Sequence, residues 1–298
     1  MKKGEETSMR ALLIRLCRVI PDSLYLKVIF YKNIRQVLDL KNPETFNEKL
    51  QWLKINDRNP DYTKLVDKYE VRKYIKEKIG EKYLVPLIGV WKNAYEIDFT
   101  KMPEQFVLKC NHDSKSVIIC KDKNKLDKQK IIKKLNKHLK SNAYWYGREW
   151  FYKNVQPLII AEEYLEDRNS RTLNDYKVLC FNGKARLIQV HCNRGSKNYT
   201  QDFYDLEWNH LNIEQGVKLT DNPLEKPGFL EEMITLSEKL AKNLIHARID
   251  WYFVNNQLYF GEITFYDGSG FVRFANSDDD ILLGNMINIK DTYENKDF

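Results

Sequence analysis

Near its carboxyl end the chain has two runs of alternating apolar and polar residues, which meet at the dipeptide Asn255-Asn256. Alternation of this kind is typical of half-buried strands, so the two runs predict an antiparallel hairpin. Glu262 lies in the middle of the second run. Because an unpaired carboxylate is costly to bury, the direction in which Glu262 points limits how the hairpin can pack.

The length of the turn decides this direction, since a shift of one residue in register moves every side chain to the other face of the sheet. A two-residue turn at Asn255-Asn256 places Asp250 opposite Gly261 and away from Glu262. A turn of three residues is sterically possible as well.

The three-residue turn includes Gln257 and places Asp250 opposite Glu262, and Arg248 opposite Thr264. The polar face then carries Arg248, Asp250, Tyr252, Phe260, Glu262 and Thr264. The opposite face forms a core of Ile249, Trp251, Phe253, Tyr259, Gly261, Ile263 and Phe265. Both turns remain plausible, and the three-residue turn gives the hairpin a complete apolar face.

Two opposed carboxylates repel each other unless a cation lies between them. Mg²⁺ commonly takes one or two carboxylates and completes its coordination with water and nucleotide phosphates. Asp250 and Glu262 are therefore candidate metal ligands. The alternative is a solvent-facing surface on which Arg248 neutralises both carboxylates.

The rest of the chain has strong local signals for helices and hairpins. Thr45 and Glu48 have the spacing of a capping box at the start of a helix. Asn182-Gly183 joins two strand-like runs and is the strongest short hairpin signal in the sequence. Helices and strands do not alternate regularly, which indicates an α+β fold with largely antiparallel sheets.

We expect a helical segment over residues 1–60, a first lobe over 61–156 and a second lobe over 157–298. The formal charge of +7 favours acidic partners such as nucleotides, sugar phosphates, nucleic acid or an anionic membrane surface. Charges interrupt the apolar stretches of the first 30 residues, so no signal peptide or membrane-spanning helix is predicted. Basic amphipathic helices there either pack on the body of the protein or lie on a membrane.

Five cysteines without a C-x-x-C pair favour a reducing compartment and exclude a disulfide framework. We therefore expect a cytoplasmic protein, either free or at the inner face of the membrane.

Several charged residues stand where a nucleotide site could form. Lys109 ends a strand on the face opposite Phe106 and Leu108, directly before the polar stretch NHDSKS at 111–116, which we call the phosphate loop. The stretch EEYL at 162–165 ends another strand at the expected lobe boundary, where free backbone groups can pair with adenine. The alternating charges Asp175, Lys177 and Arg194 belong either to this site or to a solvated face.

From about Leu38 onward the chain resembles the TupA-like, teichuronopeptide-biosynthesis branch of the ATP-grasp superfamily. The stretches that carry this resemblance are NPETFNEKLQWLK, YTKLVDKYEVRKYI, FVLKCNHDS, IIAEEYLED, DYKVLCFNGK and RIDWYF…LYFGEITFYDGSGF, in that order. The resemblance implies two α+β lobes that clasp a nucleotide, preceded by N-terminal helices. It also implies ATP and Mg²⁺ as cofactors.

The resemblance further implies roles for individual residues. The nucleotide would contact Lys68, Lys109, Ser114, Glu162, Glu163, Tyr164, Leu165 and Asp175, with the backbone of Glu163 and Leu165 at adenine and Glu162 at ribose. The metal would bind Asp250, Glu262 and Thr264; Lys177, Arg194 and Arg248 would be catalytic; His191 and Ser269 would contact the acceptor. Many members have Asn where this chain has Thr264, and the phosphate loop lacks glycine and contains Asp113.

The function that follows is an ATP- and Mg²⁺-dependent ligase. It would join a carboxylate to an amine or related nucleophile through an acyl phosphate, in bacterial capsular polysaccharide or teichuronopeptide biosynthesis. Its partners would be a small-molecule or lipid-linked saccharide acceptor and an amine or amino acid.

Two other functions are considered. A glycosyltransferase of the same pathway would need a nucleotide-sugar site, for which the acidic stretch SDDD at 277–280 is the remaining candidate. A nucleic-acid or membrane patch on the lysine-rich helix at 125–140 is disfavoured, because its lysines surround an ordinary apolar stripe with few aromatic residues. We therefore expect no nucleic-acid partner.

Overall fold

The computed structural model describes residues 18–167 and 173–289. Its helices are α1 Asp22–Ile34, α2 Phe46–Asn56, α3 Tyr62–Val66, α4 Val71–Lys78, α5 Lys128–Leu139, α6 Tyr144–Gly147, α7 Leu230–Ala241 and α8 Ser277–Asn285. Its strands are β1 Leu87–Trp91, β2 Phe106–Cys110, β3 Ile118–Cys120, β4 Ile159–Glu163, β5 Asp175–Phe181, β6 Lys184–Cys192, β7 Thr200–Tyr204, β8 His210–Leu211, β9 His246–Val254 and β10 Gln257–Thr264. The amino-terminal part of the predicted basic helices, residues 1–17, lies outside the described residues.

The strands form two sheets, and all of their pairings are antiparallel. The first sheet has four strands in the order β1-β4-β2-β3, and the second has six in the order β10-β9-β5-β6-β7-β8. The predicted α+β class with largely antiparallel sheets is confirmed.

Each sheet has its own hydrophobic core. Helix α5 covers the first sheet, where Ile131 and Leu135 pack in one cluster with Phe106 and Leu108. Helices α2, α3, α4 and α7 share a larger cluster with the second sheet. Helices α2, α3 and α4, which precede the first sheet in sequence, therefore pack with the second sheet.

Strand β4 lies in the first sheet, between β1 and β2. The expected boundary at residue 157 would place this strand in the second lobe, whereas the two sheets separate only after Glu163. The apolar run at 159–161 is buried because β4 has a neighbour on both sides. A buried strand looks the same in sequence whichever sheet it joins. The boundaries 1–60, 61–156 and 157–298 remain predictions as domain assignments.

Helix α2 begins as its sequence predicts. The side chain of Thr45 accepts a hydrogen bond from the Glu48 N–H, and the Glu48 carboxylate accepts one from the Thr45 N–H. This capping box fixes the start of the helix and turns Phe46, Leu50 and Leu53 into the core, where all three are fully buried.

The last hairpin has a two-residue turn, so of the two turns considered the three-residue one does not form. Asn255 and Asn256 have φ angles of 49° and 64°, the left-handed values that a tight hairpin turn of this type requires. Tyr259 consequently faces Tyr252, and Phe260 faces Trp251 in the core. The expected positions of Tyr259 on the core face and Phe260 on the polar face are thus reversed.

The register then changes at a β-bulge. Between Phe260 and Ile263 the pairing shifts by one residue, so that Gly261 and Glu262 together lie opposite Asp250. A Cβ atom on Gly261 would lie 3.1 Å from the Asp250 carbonyl oxygen, which explains why glycine occupies this position.

After the bulge, Ile263 faces Ile249 and Thr264 faces Arg248. The bulge therefore restores the pairing that the longer turn would have produced. Arg248 and Thr264 are opposed as predicted, and Glu262 lies on the side of Arg248.

Candidate active site

Arg248, on strand β9, holds the centre of a buried charged cluster. Its Nε lies 2.7 Å from Asp250 Oδ1, and one of its NH groups lies 2.8 Å from Asp250 Oδ2. The guanidinium also donates to Asp267 and to the Thr264 hydroxyl, and lies 3.7 Å from Glu262. Burial alone would lower the pKa of Arg248, but these carboxylates raise the pKa well above its ordinary value.

Glu262 points toward cations from both halves of the molecule. Its Oε2 lies 3.1 Å from the Nζ of Lys68, whose backbone N–H donates to the Asn111 carbonyl in the phosphate loop. Burial would raise the pKa of Glu262, but Lys68, Arg248 and Lys177 outweigh it and lower the pKa to about 2. The side chain nevertheless remains 32% exposed, so a ligand can reach this carboxylate.

A row of charges continues from Asp250 across the second sheet. Lys177 Nζ lies 2.5 Å from Asp250 and 3.8 Å from Asp175, and all three side chains are buried. Arg194 donates to Asp175 at 2.9 Å, but its own side chain is 64% exposed. Arg194 therefore forms the outer end of the row, where it can turn toward a bound molecule.

The first sheet contributes a second, smaller cluster. Glu162 on β4 is buried between two cations, with Lys109 at 2.5 Å and Arg72 at 3.2 Å. Sequence reasoning did not predict Arg72, although it follows Lys68 by four residues in the stretch VDKYEVRK. Glu162 can bind ribose only by giving up at least one of these contacts.

Asp113 in the phosphate loop is turned inward. It accepts hydrogen bonds from the backbone and hydroxyl of Ser116, and lies 2.5 Å from Nδ1 of His138. Burial would raise the pKa of Asp113, but the bonds from Ser116 and His138 prevail and lower the pKa. Asp113 therefore stays ionised, and its carboxylate oxygens are engaged by Ser116 and His138. Ser114 is exposed on the outside of the loop.

The predicted adenine segment begins at the end of β4. The backbone N–H of Glu163 donates to the Pro86 carbonyl at 3.0 Å, so this donor is already engaged. The ring of Tyr164 lies 5.3 Å from the Nζ of Lys121, and both Tyr164 and Leu165 are half-buried.

His191 is enclosed within the protein. One ring nitrogen contacts the Tyr199 hydroxyl at 2.6 Å, and the other contacts Gln189 Oε1 at 2.9 Å. Burial, reinforced by Lys177, lowers the pKa of His191 to about 2, so the ring is neutral at physiological pH. The predicted contact of His191 with an acceptor would require it to release one of these partners.

Ser269 belongs to a buried polar group that sequence reasoning missed. Its hydroxyl donates to Glu149 at 2.7 Å and accepts from the Nζ of Lys54 at 3.1 Å. Burial lowers the pKa of Lys54 to about 7, although Glu149 opposes this shift. The segment fits closely, because a Cβ atom on Gly147 would lie 2.3 Å from the Ser269 hydroxyl. Lys54 follows the capping box in an ordinary helical pattern, and nothing local in sequence marks it as buried.

The donors in this cluster fit a magnesium ion that binds together with phosphates. Asp250, Glu262 and Thr264 all lie around the Arg248 guanidinium and would supply the oxygen ligands. Within residues 18–167 and 173–289, no three His, Cys, Asp or Glu side chains are grouped so that they could hold a metal. Two carboxylates with nucleotide phosphates and water are a usual magnesium environment, whereas two carboxylates alone bind the ion weakly.

Several solved structures of ligases are similar to this chain. The D-alanine–D-alanine ligase of Bacillus anthracis with ATP has 17% identity and a TM-score of 0.40, over 68% of this chain and 55% of that one. The D-alanine–D-alanine ligase of Helicobacter pylori has 14% identity and a TM-score of 0.39, over 83% and 70% of the two chains. D-cycloserine synthetase DcsG has 13% identity and a TM-score of 0.41, over 76% and 70%.

The chain spans little more than half the length of the Bacillus anthracis ligase. A search of curated protein sequences gives no significant match. The family described as TupA-like ATPgrasp matches residues 48–288, which include both sheets and every element of the charged cluster. The chain therefore belongs to the TupA-like ATP-grasp family.

Proposed function

We propose that the protein is an ATP- and Mg²⁺-dependent ligase that joins a carboxylate to an amine or a related nucleophile. The observation that carries this proposal is the contact of Lys68 and Arg248 with Glu262. Lys68, whose backbone is hydrogen-bonded to the phosphate loop, and Arg248, which lies on the second sheet, thus both contact one carboxylate suited to magnesium. Membership of the ATP-grasp family supports the same reaction.

The charges of the cluster are balanced without a nucleotide. Four cations face four carboxylates on and around the second sheet: Lys68, Lys177, Arg194 and Arg248 face Asp175, Asp250, Glu262 and Asp267. When Mg-ATP binds, the carboxylates can pair with the metal ion instead of with the protein cations. The protein cations can then pair with phosphate oxygens instead of with the carboxylates. This exchange avoids leaving a buried charge without a partner.

The proposed reaction has two steps. A substrate carboxylate oxygen attacks the γ-phosphorus of ATP, the bond to the bridging oxygen breaks, and ADP leaves. The amine then attacks the acyl carbon, phosphate leaves, and the amine loses a proton. In the first step Lys68 and Lys109 would hold the phosphates. Lys177 and Arg248 would stabilise the charge of the transferring phosphoryl group, and the exposed Arg194 would approach that group from the edge of the site. The bound Mg²⁺ would neutralise phosphate charge.

We place the acceptor near Ser269, since this loop follows directly after the metal-binding strand. The Glu149 carboxylate and the Ser269 hydroxyl are polar groups suited to an amine or a sugar hydroxyl. The pathway, surface polysaccharide or teichuronopeptide assembly, comes from the family resemblance. Nucleic acid is not proposed as a partner, because the apolar stripe of α5 packs on the first sheet.

A glycosyltransferase is less well supported. The stretch SDDD forms the first turn of α8, and the Asp280 carboxylate accepts two hydrogen bonds of 2.9 Å from the backbone and side chain of Asn47. Asp280 thus fastens α8 to α2 and is not free to bind a nucleotide sugar.

The test is a measurement of ADP release from Mg-ATP with a panel of carboxylates and amines, compared with UDP release from UDP-sugars. The proposal requires ADP release that depends on a carboxylate and is lost in Glu262→Gln. A matched control is Glu96→Gln, which removes an exposed carboxylate from the short helical turn that follows β1. UDP release without ATP would refute the ligase and favour the alternative.

A further inference from the structure

Helix α1 is apolar on two opposite sides. On one side Leu26, Phe30 and Ile34 are buried in a small cluster with Leu38. This side fastens the helix to the protein. A helix of this kind usually presents polar residues to solvent on its other side.

The other side of α1 instead exposes large apolar residues. Leu24, Val28 and Tyr31 are 53%, 60% and 57% exposed, and their spacing of four and three residues places them in one stripe. Lys27 and Lys32 are exposed on either edge of this stripe. An apolar stripe with lysines at both edges is the pattern of a helix that lies in a membrane interface, where the lysines reach anionic headgroups.

The exposed surface continues onto α6. Tyr146 is 73% exposed, and its carbonyl accepts a 3.1 Å hydrogen bond from the hydroxyl of Tyr25 on α1. The exposed Lys153 lies 4.0 Å from the ring of Tyr144 beside it. Tyrosine and lysine are both favoured at the boundary between lipid and water. We call the set Leu24, Lys27, Val28, Tyr31, Lys32 and Tyr146 the α1 surface.

We propose that the α1 surface docks on an anionic lipid membrane. The residues before α1 have the same character in sequence, since the stretch MRALLIRLCR at 9–18 combines three arginines with apolar residues. The charge of the α1 surface is complementary to anionic headgroups, and each lysine near such a membrane strengthens binding severalfold. No helix in the described ranges is long and apolar enough to cross a membrane, so docking would occur at the surface.

The position of the α1 surface also bears on which kind of acceptor molecule the protein uses. Asp22 on α1 accepts a 2.6 Å hydrogen bond from the Tyr144 hydroxyl, and Arg148 packs its guanidinium against Tyr25. The next residue, Glu149, holds the hydroxyl of Ser269. One short segment thus connects the membrane-facing helix to the proposed acceptor loop. Resting on the proposed function, this arrangement fits a lipid-linked saccharide better than a freely diffusing one.

The experiment is flotation of the full chain with vesicles of phosphatidylcholine, with and without phosphatidylglycerol. We expect the protein to float with the anionic vesicles. Replacing Lys27 and Lys32 together by Gln should weaken the partitioning by about 30-fold at low ionic strength. The matched control is Lys133→Gln with Lys137→Gln, which removes the same charge from the exposed side of α5. An equal loss in this control would overturn the proposal.

A second pair, Leu24→Ser with Val28→Ser, tests the apolar stripe and should abolish flotation. If ultracentrifugation instead shows a dimer that this pair dissociates, the surface binds a second copy and the membrane proposal is wrong. Thermal stabilisation by Mg-ATP should be unchanged in all these variants. If Mg-ATP does not stabilise the parent protein, the proposed function is contradicted, whereas the docking result still stands.

Discussion

Lys68 and Glu262 form an ion pair of 3.1 Å that joins the two halves of the site. The backbone of Lys68 is hydrogen-bonded to Asn111 in the phosphate loop, whereas Glu262 lies on the bulge of the last hairpin. The pair therefore holds the loop against strand β10. A nucleotide bound as we propose would replace this contact, which would link nucleotide binding to the relative position of the two sheets.

We expect Glu262→Gln and Lys109→Ala to abolish the rise in melting temperature that Mg-ATP produces. Glu262→Gln removes the charge of the proposed metal ligand, and Lys109→Ala removes a cation that we propose for the phosphates. Differential scanning fluorimetry measures both, and Glu96→Gln provides the control. Full stabilisation and turnover in Glu262→Gln would show that the metal assignment is wrong.

Magnesium should stabilise the protein only when the nucleotide is also present. Asp250 and Glu262 are already paired with cations, and two carboxylates do not hold Mg²⁺ firmly without phosphates. Mg²⁺ alone should leave the melting temperature unchanged, and ATP with a chelator should give a smaller rise than Mg-ATP. A clear rise with Mg²⁺ alone would indicate a complete metal site formed by the protein.

The buried lysine beside Ser269 should leave a signature in the pH dependence of stability. The pKa of Lys54 is about 7 in the folded protein and 10.5 ordinarily, because burial disfavours its charged form. Between these values the unfolded chain binds more protons, so the contribution of Lys54 to stability rises with pH, by at most about 1.4 kcal/mol per unit. Urea unfolding from pH 7 upward should show a steeper rise for the parent protein than for Lys54→Met. Equal slopes would exclude a buried, uncharged lysine.

The bulge should tolerate no side chain at Gly261. Gly261→Ala places a Cβ atom 3.1 Å from the Asp250 carbonyl and 3.2 Å from the Tyr252 ring, and should lower the free energy of unfolding by about 1 to 3 kcal/mol. Gly228→Ala is the control, since no heavy atom lies within 4 Å of the corresponding Cβ position. Denaturant unfolding of the two variants compares them directly, and equal stabilities would mean that the bulge can relax.

Local signals in the sequence predicted the elements well. The capping box of Thr45 and Glu48 and the turn at Asn182-Gly183 each depend on neighbouring residues, and both form in the structure. The register of the last hairpin was harder to predict from sequence. The turn is one residue shorter than the alternative, and the extra residue of the bulge offsets this difference in the pairing of the two strands.

A sign of the bulge is nevertheless present in the sequence. The core residues of β10 change from even positions, Leu258 and Phe260, to the odd position Ile263. Strict alternation cannot produce this change, so it marks the place where an extra residue enters. By contrast, the burial of Lys54 and its contact with Ser269 depend on packing between distant segments, which no local pattern records.

The two hydrophobic cores have a consequence for how the molecule could be divided. The larger core contains residues up to Leu84, then residues 150–155, and then residues from 176 onward. The smaller core contains residues between Ile88 and Leu139 and again at 159–161. The polypeptide thus passes from one core to the other four times. A cut near residue 157 would give two fragments that each carry parts of both cores. Neither fragment should therefore fold alone. If the two fragments are mixed, both cores must form from residues of both fragments.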